Sequence, residues 1–337
     1  MTQGVQTRRH WLVNAMAGAT AVAGVPGWAR SASYPHRPIH LVVPFAAGGS
    51  SDLVARLVAD AMQPFLGQAV VVENKGGAGG MIGSEAVARA PADGYTLGLG
   101  TISTLAVNPV VLPANRIDPL QDLQPVVPLA SIASVFCVSP ALRVRDFAHF
   151  LQIAREQGDN WAAGSSGVGS IGHVILAALN ARWGTQMRHI PFKGMGPVIN
   201  SALAGQTQFL SDQYPSSAPH IQAGRLQAVA VAAPRRLAGL PQVPTLAELG
   251  YADLNALAMT WFGLVVPART PQSVALALNH AANQALQQTA VREKLSQWSV
   301  DPLGGTPEQL HAMMISASQQ VQQVVHAQPK AFFDGES

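Results

Sequence analysis

Short apolar segments alternate with a helical pattern over the first hundred residues, and this alternation limits the chain to few folds. Apolar runs typical of buried strands occupy residues 39–43, 69–73 and 96–100. Between the first two runs, apolar residues recur at helical spacing from Leu53 to Phe65, and Pro64 and Gly67 predict the end of that helix. A βαβαβ order of this kind predicts a parallel sheet covered by helices, so the predicted fold class is α/β.

A second α/β region follows a stretch interrupted by prolines between residues 109 and 128. Its strands are predicted at residues 126–129, 135–138, 161–163, 189–192, 208–210 and 226–232, and its helices at 146–157, 172–183 and 218–223. The remainder is predicted to hold a strand at 261–266 and helices at 271–288, 290–297 and 307–325. The length of 337 residues is enough for two domains of ordinary size.

The N-terminus has the pattern of an export signal. Arg8 and Arg9 stand directly before a weakly apolar stretch, residues 12–25, and small residues suited to cleavage follow at 29–33. Paired arginines in this position favour the twin-arginine route, with a general secretory signal as the alternative. We therefore predict that residues 1–33 are removed. No apolar run approaches the roughly 20 residues needed to span a bilayer, so no membrane insertion of the mature chain is expected.

Charge and cysteine content exclude several classes of function. The chain has 21 basic and 18 acidic residues, but three of the arginines lie in residues 1–33, so the mature chain is formally neutral. A chain with this balance has no excess of basic residues that would favour binding to nucleic acid or anionic lipid. Cys137 is the single cysteine, in an apolar segment that predicts a buried thiol, and the histidines show no metal-ligand spacing. No metal and no cofactor are predicted.

Two glycine-rich loops, each between a predicted strand and helix, are the strongest candidates for ligand contact. The first runs from Phe45 through Gly48 and Gly49 to Asp52. Its glycines permit close approach of a ligand, and the start of the following helix favours an anion. The alternative is an ordinary turn in which Asp52 stabilises the first helical turn.

The second loop, residues 164–170, combines glycines with serine hydroxyl groups, which can donate to a carboxylate. Its glycine spacing, from Gly167 through Gly169 to Gly172, also matches a dinucleotide fingerprint. The acidic residue expected about 20 positions later is missing, because the next one after Gly172 is Asp212. Dinucleotide binding is therefore not predicted.

Catalytic patterns are sparse. No Gly-x-Ser-x-Gly elbow occurs, and the one conceivable nucleophile and base pair, Ser165 or Ser166 with His173, has no evident orienting acid. The chain is predicted not to be an enzyme, with an exported serine hydrolase as the alternative from another class.

Nine short segments, in the same order, resemble the extracytoplasmic receptors of tripartite tricarboxylate transporters, the Bug family. They begin with Pro38-Ile39-x-Leu41-Val42-Val43-Pro44-Phe45 and Gly48-Gly49-x-x-Asp52. They continue with Val72-Glu73-Asn74, Gly77-Ala78-Gly79-Gly80, Asp93-Gly94-Tyr95-Thr96-Leu97, Ser166-Gly167-x-Gly169-Ser170, Pro191-Phe192-Lys193-Gly194, Pro241-x-Val243-Pro244-Thr245-x-x-Glu248 and Trp261-Phe262-Gly263-Leu264. Each segment is weak alone, but together they run nearly the length of the predicted mature chain.

The resemblance implies a type II periplasmic-binding-protein fold, in which two α/β lobes joined by a two-crossover hinge close on a ligand. Residues 34–107 and 232–337 are expected to form lobe 1, and residues 108–231 to form lobe 2. The crossovers are expected near residues 106–109 and 229–233.

The resemblance also implies which residues contact the ligand. In this family a carboxylate is held by backbone amides, hydroxyl groups and water without a salt bridge. The positions implied are Phe45, Ala46, Ala47, Gly48, Gly49, Asp52, Thr101 and Thr104 in lobe 1, and Ser165, Ser166, Gly169, Ser170, Lys193, Gly194 and Asp212 in lobe 2. Asp212 is expected to receive an amine or hydroxyl group of the ligand. Gln208, Phe192 and the polar residues beside Asp212 depart from the family pattern, which leaves the identity of the ligand open.

The hypothesis from sequence is thus a monomeric periplasmic receptor that captures a small organic carboxylate. Its expected partners are the membrane permease subunits of a tripartite tricarboxylate-type transporter, or a sensor kinase. An orphan or sensory receptor without a transporter is the alternative within this class.

Overall fold

The computed structural model describes Met1, residues 34–112 and residues 117–327, so the predicted export signal lies outside the described residues. The strands are β1 Ile39–Val43, β2 Val70–Asn74, β3 Thr96–Thr101, β4 Leu123–Ile132, β5 Ser134–Val138, β6 Ala162–Ser165, β7 Arg188–Pro191, β8 Phe209–Gln213, β9 Gln227–Ala232, β10 Thr260–Pro267 and β11 Val300–Pro302. The α-helices are α1 Ser50–Leu66, α2 Met81–Ala88, α3 Asn108–Val111, α4 Pro119–Asp122, α5 Phe147–Gln157, α6 Ile171–Trp183, α7 Met195–Leu203, α8 Tyr214–Gln222, α9 Ala252–Ala258, α10 Gln272–Gln287, α11 Thr289–Gln297 and α12 Pro307–Ala327. A π-helical turn, Ser103–Val107, precedes α3.

The first sheet has six strands in the order β11-β4-β10-β3-β1-β2. β1 pairs in parallel with β2 and β3, as the βαβαβ pattern predicts. The antiparallel strand β10 lies between β3 and β4. Helix α1 ends at Leu66 and is capped by Gly67, which adopts a left-handed conformation with φ of 65°. The helix buries Val54, Val58 and Met62. The predicted end of that helix is therefore confirmed.

The second sheet has five strands in the order β7-β6-β8-β5-β9. Strands β6, β7 and β8 run parallel, whereas β5 is antiparallel to both of its neighbours. We use "first lobe" for residues 34–112, 117–132 and 260–327, which surround the first sheet, and "second lobe" for residues 133–259.

The sheet order differs from the lobe boundary predicted at residue 108. β4 pairs with β10 in the first sheet, so the chain leaves the first lobe at Ala133 and returns at Met259. These two crossovers lie side by side, because the Ser134 hydroxyl donates to the Ala258 carbonyl at 2.6 Å. The Thr260 hydroxyl donates to the Ile132 carbonyl at 3.1 Å. The sequence placed β4 with the strands that follow it, but its partner β10 lies over 120 residues later.

The core of the second lobe is aromatic. The indole of Trp183 meets the rings of Phe150, Phe147 and Phe209 edge-on, with centroids 5.5, 5.6 and 6.2 Å away, and Trp183 is fully buried. This cluster fixes α6 against the sheet, and α6 begins at the second candidate loop. Cys137 lies in β5 without solvent exposure, as predicted, and burial raises the pKa of its thiol.

Within residues 34–112 and 117–327, no helix combines the length and apolar character needed to cross a bilayer.

Candidate functional site

The first candidate loop joins β1 to α1. Gly48 has φ of 87°, a conformation that favours glycine, and Gly49 precedes α1 without any side-chain cap for the first amides of the helix. Asp52 turns back on the loop, because its carboxylate accepts from the Gly48 amide at 3.1 Å and pairs with Arg56 at 2.9 Å. Asn74 also donates to it, at 3.0 Å. Asp52 therefore shapes the loop, as in the alternative interpretation of this turn.

Replacing Asp52 with asparagine is expected to lower the free energy of unfolding at pH 7 by about 1 kcal/mol. Burial raises the pKa of Asp52, but hydrogen bonds from Arg56, Asn74 and Gly48 outweigh it and lower the pKa overall. The stabilisation is therefore present above the ordinary pKa and lost as pH falls through the lowered value. Urea unfolding at pH 7 and at pH 3 measures the difference, with Asp60→Asn, an exposed residue of the same helix, as the control. An equal loss at both pH values would contradict this role.

The second candidate loop joins β6 to α6, and its own side chains hold it. The Ser165 hydroxyl accepts from the Gly167 amide at 3.1 Å, and the Ser170 hydroxyl donates to the Gly167 carbonyl at 2.7 Å. Ser170 also caps α6 by accepting from the His173 amide. Gly167 and Gly169 have φ of 125° and 75°, values that non-glycine residues rarely adopt. Within the loop of residues 164–170, only Ser166 lines the interlobe cavity described below.

Ser165, weighed above as a conceivable nucleophile with His173 as its base, contacts a different histidine in the structure. Its hydroxyl lies 2.6 Å from His189 Nε2, and the two imidazole rings stack with centroids 4.2 Å apart. Burial lowers the pKa of His173 to about 4, and burial together with His173 lowers that of His189 to about 3. Because Ser165 is 1% exposed and does not line the interlobe cavity, this contact supports the loop and does not present a nucleophile.

A cavity of about 30 Å³ lies where the carboxyl ends of strands from both sheets meet. It is small because the lobes are closed, with space for about two water molecules. The predicted residues that line it are Phe45, Gly49, Thr101, Ser166 and Asp212. The further lining residues are Ser50, Ser51, Ile102, Ser103, Ser134, Ile171, Gly172, Ile175, Met195, Ser211, Gln213 and Phe262. None of these described residues is basic.

Hydrogen bonds join the two lobes around this cavity. The Ser50 hydroxyl lies 2.7 Å from the Ser216 hydroxyl, and the Ser216 amide donates to Ser50 Oγ at 3.1 Å. The Ile171 amide donates to the Ser103 hydroxyl at 3.0 Å. Asn108 Nδ2 donates to the Gly169 carbonyl of the second lobe at 2.8 Å and to a first-lobe carbonyl at 3.3 Å.

Next to the cavity, the loops of the two lobes meet backbone to backbone, and we call this contact the glycine seam. The Ala46 amide donates to the Lys193 carbonyl at 3.0 Å. A Cβ atom on Gly194 would lie 2.8 Å from the Ala46 nitrogen, and one on Gly196 would lie 2.4 Å from the Ala47 oxygen. The other glycines of the seam are Gly48, Gly76, Gly79 and Gly167. Of the predicted ligand contacts, Ala46, Ala47, Gly48, Lys193 and Gly194 lie in this seam and do not line the cavity.

Thr104 is also placed behind the cavity wall. Its hydroxyl accepts from the Thr101 amide at 3.1 Å, so it positions Thr101, which does line the cavity. Sequence reasoning missed Ser134 because the crossover was expected elsewhere. It also missed Phe262, although Trp261-Phe262-Gly263-Leu264 supported the family resemblance. Ser103, two residues beyond Thr101, could have been found from the same strand end.

Asp212 is the one acidic residue among the described lining residues, and it is 2% exposed. Its carboxylate accepts from the hydroxyls of Ser216 and Ser217, the latter at 2.7 Å, and from the Gln213 amide at 2.7 Å. Burial raises the pKa of Asp212 to about 6, although the three hydrogen bonds act in the opposite direction.

A larger groove, of about 890 Å³, is lined by residues of both lobes near the crossovers, among them Arg235, Met259 and Arg292. None of the predicted contact residues lies in it. The smaller cavity is therefore the candidate site, because the two candidate loops converge there.

Comparison with known proteins agrees with this architecture. A family model described as "Tripartite tricarboxylate transporter family receptor" matches residues 54–329. Protein BugT of Bordetella pertussis is 36% identical over 290 residues, which cover 86% of this chain and 88% of that protein.

Two similar solved structures contain bound ligands. MatC from Rhodopseudomonas palustris with bound malate is 30% identical, with a TM-score of 0.81 and coverage of 87% of this chain and 100% of that one. R. palustris Rpa4515 with adipate is also 30% identical, with a TM-score of 0.83 and coverage of 87% and 97%. The predicted two-lobed binding-protein fold is thus confirmed.

Proposed function

The chain belongs to the tripartite tricarboxylate transporter receptor family, whose members are solute-binding receptors, and from this premise we propose that it captures a small carboxylate in the interlobe cavity. The observation that carries the proposal is the meeting of two helix starts at one cavity. Gly49, Ser50 and Ser51 at the start of α1 face Ile171 and Gly172 at the start of α6. Helix starts and hydroxyl groups favour an anion without any basic side chain.

The proposed ligand contacts are the predicted residues that line the cavity, together with Ser50, Ser51 and Ser103. A carboxylate at the start of α1 would accept hydrogen bonds from the uncapped amides of that helix and from hydroxyl groups of both lobes. Malate and adipate, the ligands in the two similar structures, support a carboxylate as the class of ligand. Asp212 would accept a donor group from the ligand and would repel a second ionised carboxylate placed beside it.

The proposal includes export and transport partners. Residues 1–33 would direct the chain to the periplasm, by the twin-arginine route, with cleavage near residues 29–33. A permease of the tripartite type would receive the ligand from the closed monomer, and a sensor kinase is the alternative partner. Cell fractionation and sequencing of the mature N-terminus test this part: full-length protein in the cytoplasm would contradict it.

Thermal unfolding of residues 34–337 with a panel of mono-, di- and tricarboxylates and amino acids tests the function. We expect a carboxylate at a hundredfold excess over its dissociation constant to raise the melting temperature by a few degrees. Ser166→Ala, in the cavity, should lower the affinity, whereas Ser139→Ala, outside it, should not. The protein is first unfolded and refolded to remove any bound metabolite. If its melting temperature then responds to no carboxylate, the proposal is contradicted. Labelling of Ser166 by a fluorophosphonate would instead favour the hydrolase alternative.

A further inference from the structure

Asp212 is enclosed by the contact between the lobes and has no positively charged partner among the described residues. Its carboxylate contacts only neutral donors: two serine hydroxyls and a backbone amide. One of these serines, Ser216, also contacts Ser50 of the first lobe at 2.7 Å. The contact that seals the cavity beside Asp212 is therefore part of the hydrogen-bond network of the carboxylate itself.

We propose that closing of the two lobes takes up a proton at Asp212, so that a lower pH favours the closed receptor. This inference rests on the proposed function only in taking lobe closing as the event that traps the ligand. Because Asp212 lines the cavity between the lobes, separating them brings water to the carboxylate and favours its ionised form. Closing removes that water and supplies no cation, so the neutral form is favoured.

The hydrogen-bond network can accommodate either protonation state. When Asp212 is ionised, the Ser216 hydroxyl donates to it, and Ser50 donates to Ser216. When Asp212 is protonated, its own hydroxyl can donate to Ser216. The Gln213 carbonyl then accepts from Ser216 at 3.1 Å or from Ser50 at 3.2 Å. No buried hydroxyl loses its acceptor when the proton is taken up, which keeps the closed state accessible to both forms.

Proton uptake on closing is assigned to Asp212 and not to the other ionisable groups around it. The elements packed on β8 and on α8 carry Cys137 on β5, His173 and Arg182 on α6, Tyr214 and His220 on α8, and Asp52, Arg56 and Asp60 on α1. Arg182 is paired with Asp253 at 3.3 Å. Burial raises the pKa of the Cys137 thiol and lowers that of His173 to about 4, so these two groups are neutral near pH 6, and burial also lowers the pKa of His220. Arg56 is paired with Asp52 at 2.9 Å.

The test compares one receptor held closed with one held open, without ligand. A Cβ atom on Gly49 would lie 3.5 Å from Met195 Cβ, a spacing that suits a disulfide, so Gly49→Cys with Met195→Cys locks the lobes together. Gly196→Ala holds them apart at the glycine seam. Small-angle X-ray scattering verifies the two shapes, and ¹³C NMR follows the Asp212 carboxylate from pH 3 to pH 8. Asp212→Asn assigns its signal.

We expect a titration midpoint of about 6 in the locked protein and a midpoint lower by one unit or more in the protein held open. The pH dependence of closing follows from the difference between the two midpoints. If the midpoint of Asp212 is near 6 in the closed state and has the ordinary value of an aspartate in the open state, the equilibrium constant for closing is about tenfold larger at pH 5.0 than at pH 7.5. Ser217→Ala, which removes a donor to the same carboxylate but no interlobe contact, should raise both midpoints by a similar amount. Equal midpoints in the locked and open proteins would overturn the inference, whatever ligand the receptor binds.

Discussion

Gly196→Ala is expected to weaken ligand affinity by about tenfold to a hundredfold, with no loss of folding stability. Gly196 is the second residue of α7, and its added methyl group would lie 2.4 Å from the Ala47 carbonyl oxygen of the other lobe. The two backbones would have to separate before the lobes could close. Within the second lobe the same change is favourable, because alanine stabilises a helix by up to about 1 kcal/mol relative to glycine.

Calorimetry with the carboxylate found by thermal unfolding measures the affinity, and urea unfolding measures the stability. Gly158→Ala is the matched control, because Gly158 has φ of −61° and a Cβ atom there would come no closer than 3.6 Å to its neighbours. An unchanged affinity in Gly196→Ala would show that the lobes do not need the glycine seam to trap the ligand. A loss of folding stability instead would place the effect inside the second lobe.

Trp183→Ala is expected to lower the free energy of unfolding by about 3–5 kcal/mol, whereas Trp183→Phe should cost about 1 kcal/mol. Trp183 is fully buried, and the rings of Phe147, Phe150 and Phe209 surround it. Its indole N–H has no hydrogen-bond partner among the described residues, so phenylalanine removes an unsatisfied donor while keeping an aromatic ring.

Urea denaturation of both variants measures the two losses. Phe65→Ala is the control, since Phe65 is 43% exposed and its loss should change stability little. Losses of similar size in the two Trp183 variants would mean that the N–H group contributes to stability, or that phenylalanine cannot fill the site.

The sequence predicted well those helices and strands that are specified by their own residues and the turns beside them. The strands β1, β3 and β10 lie within one residue of where the apolar pattern placed them, and the helix predicted from Leu53 to Phe65 begins three residues earlier, at Ser50. The strand β11 and the helix α9 were missed, since β11 has three residues and α9 has seven. β4 was predicted as a strand, but the sequence carries no local signal for a partner as distant as β10.

The candidate site was predicted at the level of loops but less well at the level of atoms. Glycine-rich strand-to-helix turns indicate where a backbone approaches something closely, and both candidate loops do converge on the cavity. The pattern does not distinguish a close approach to a ligand from a close approach to the other lobe. Gly194 and Ala46 belong to the second case, because their backbones contact each other. Side-chain direction, which separates Ser165 from Ser166, likewise depends on the finished fold.

The side-by-side crossovers have a consequence for how receptors of this kind diversify. The second lobe is one uninterrupted segment, residues 133–259, and the two points where it leaves and rejoins the first lobe are joined by the Ser134–Ala258 and Thr260–Ile132 hydrogen bonds. Such a segment is a single insert whose ends already lie together, the arrangement in which whole modules are tolerated as insertions. Recombination at Ala133 and Met259 could exchange half of the ligand cavity between relatives in one step while the other half stays intact.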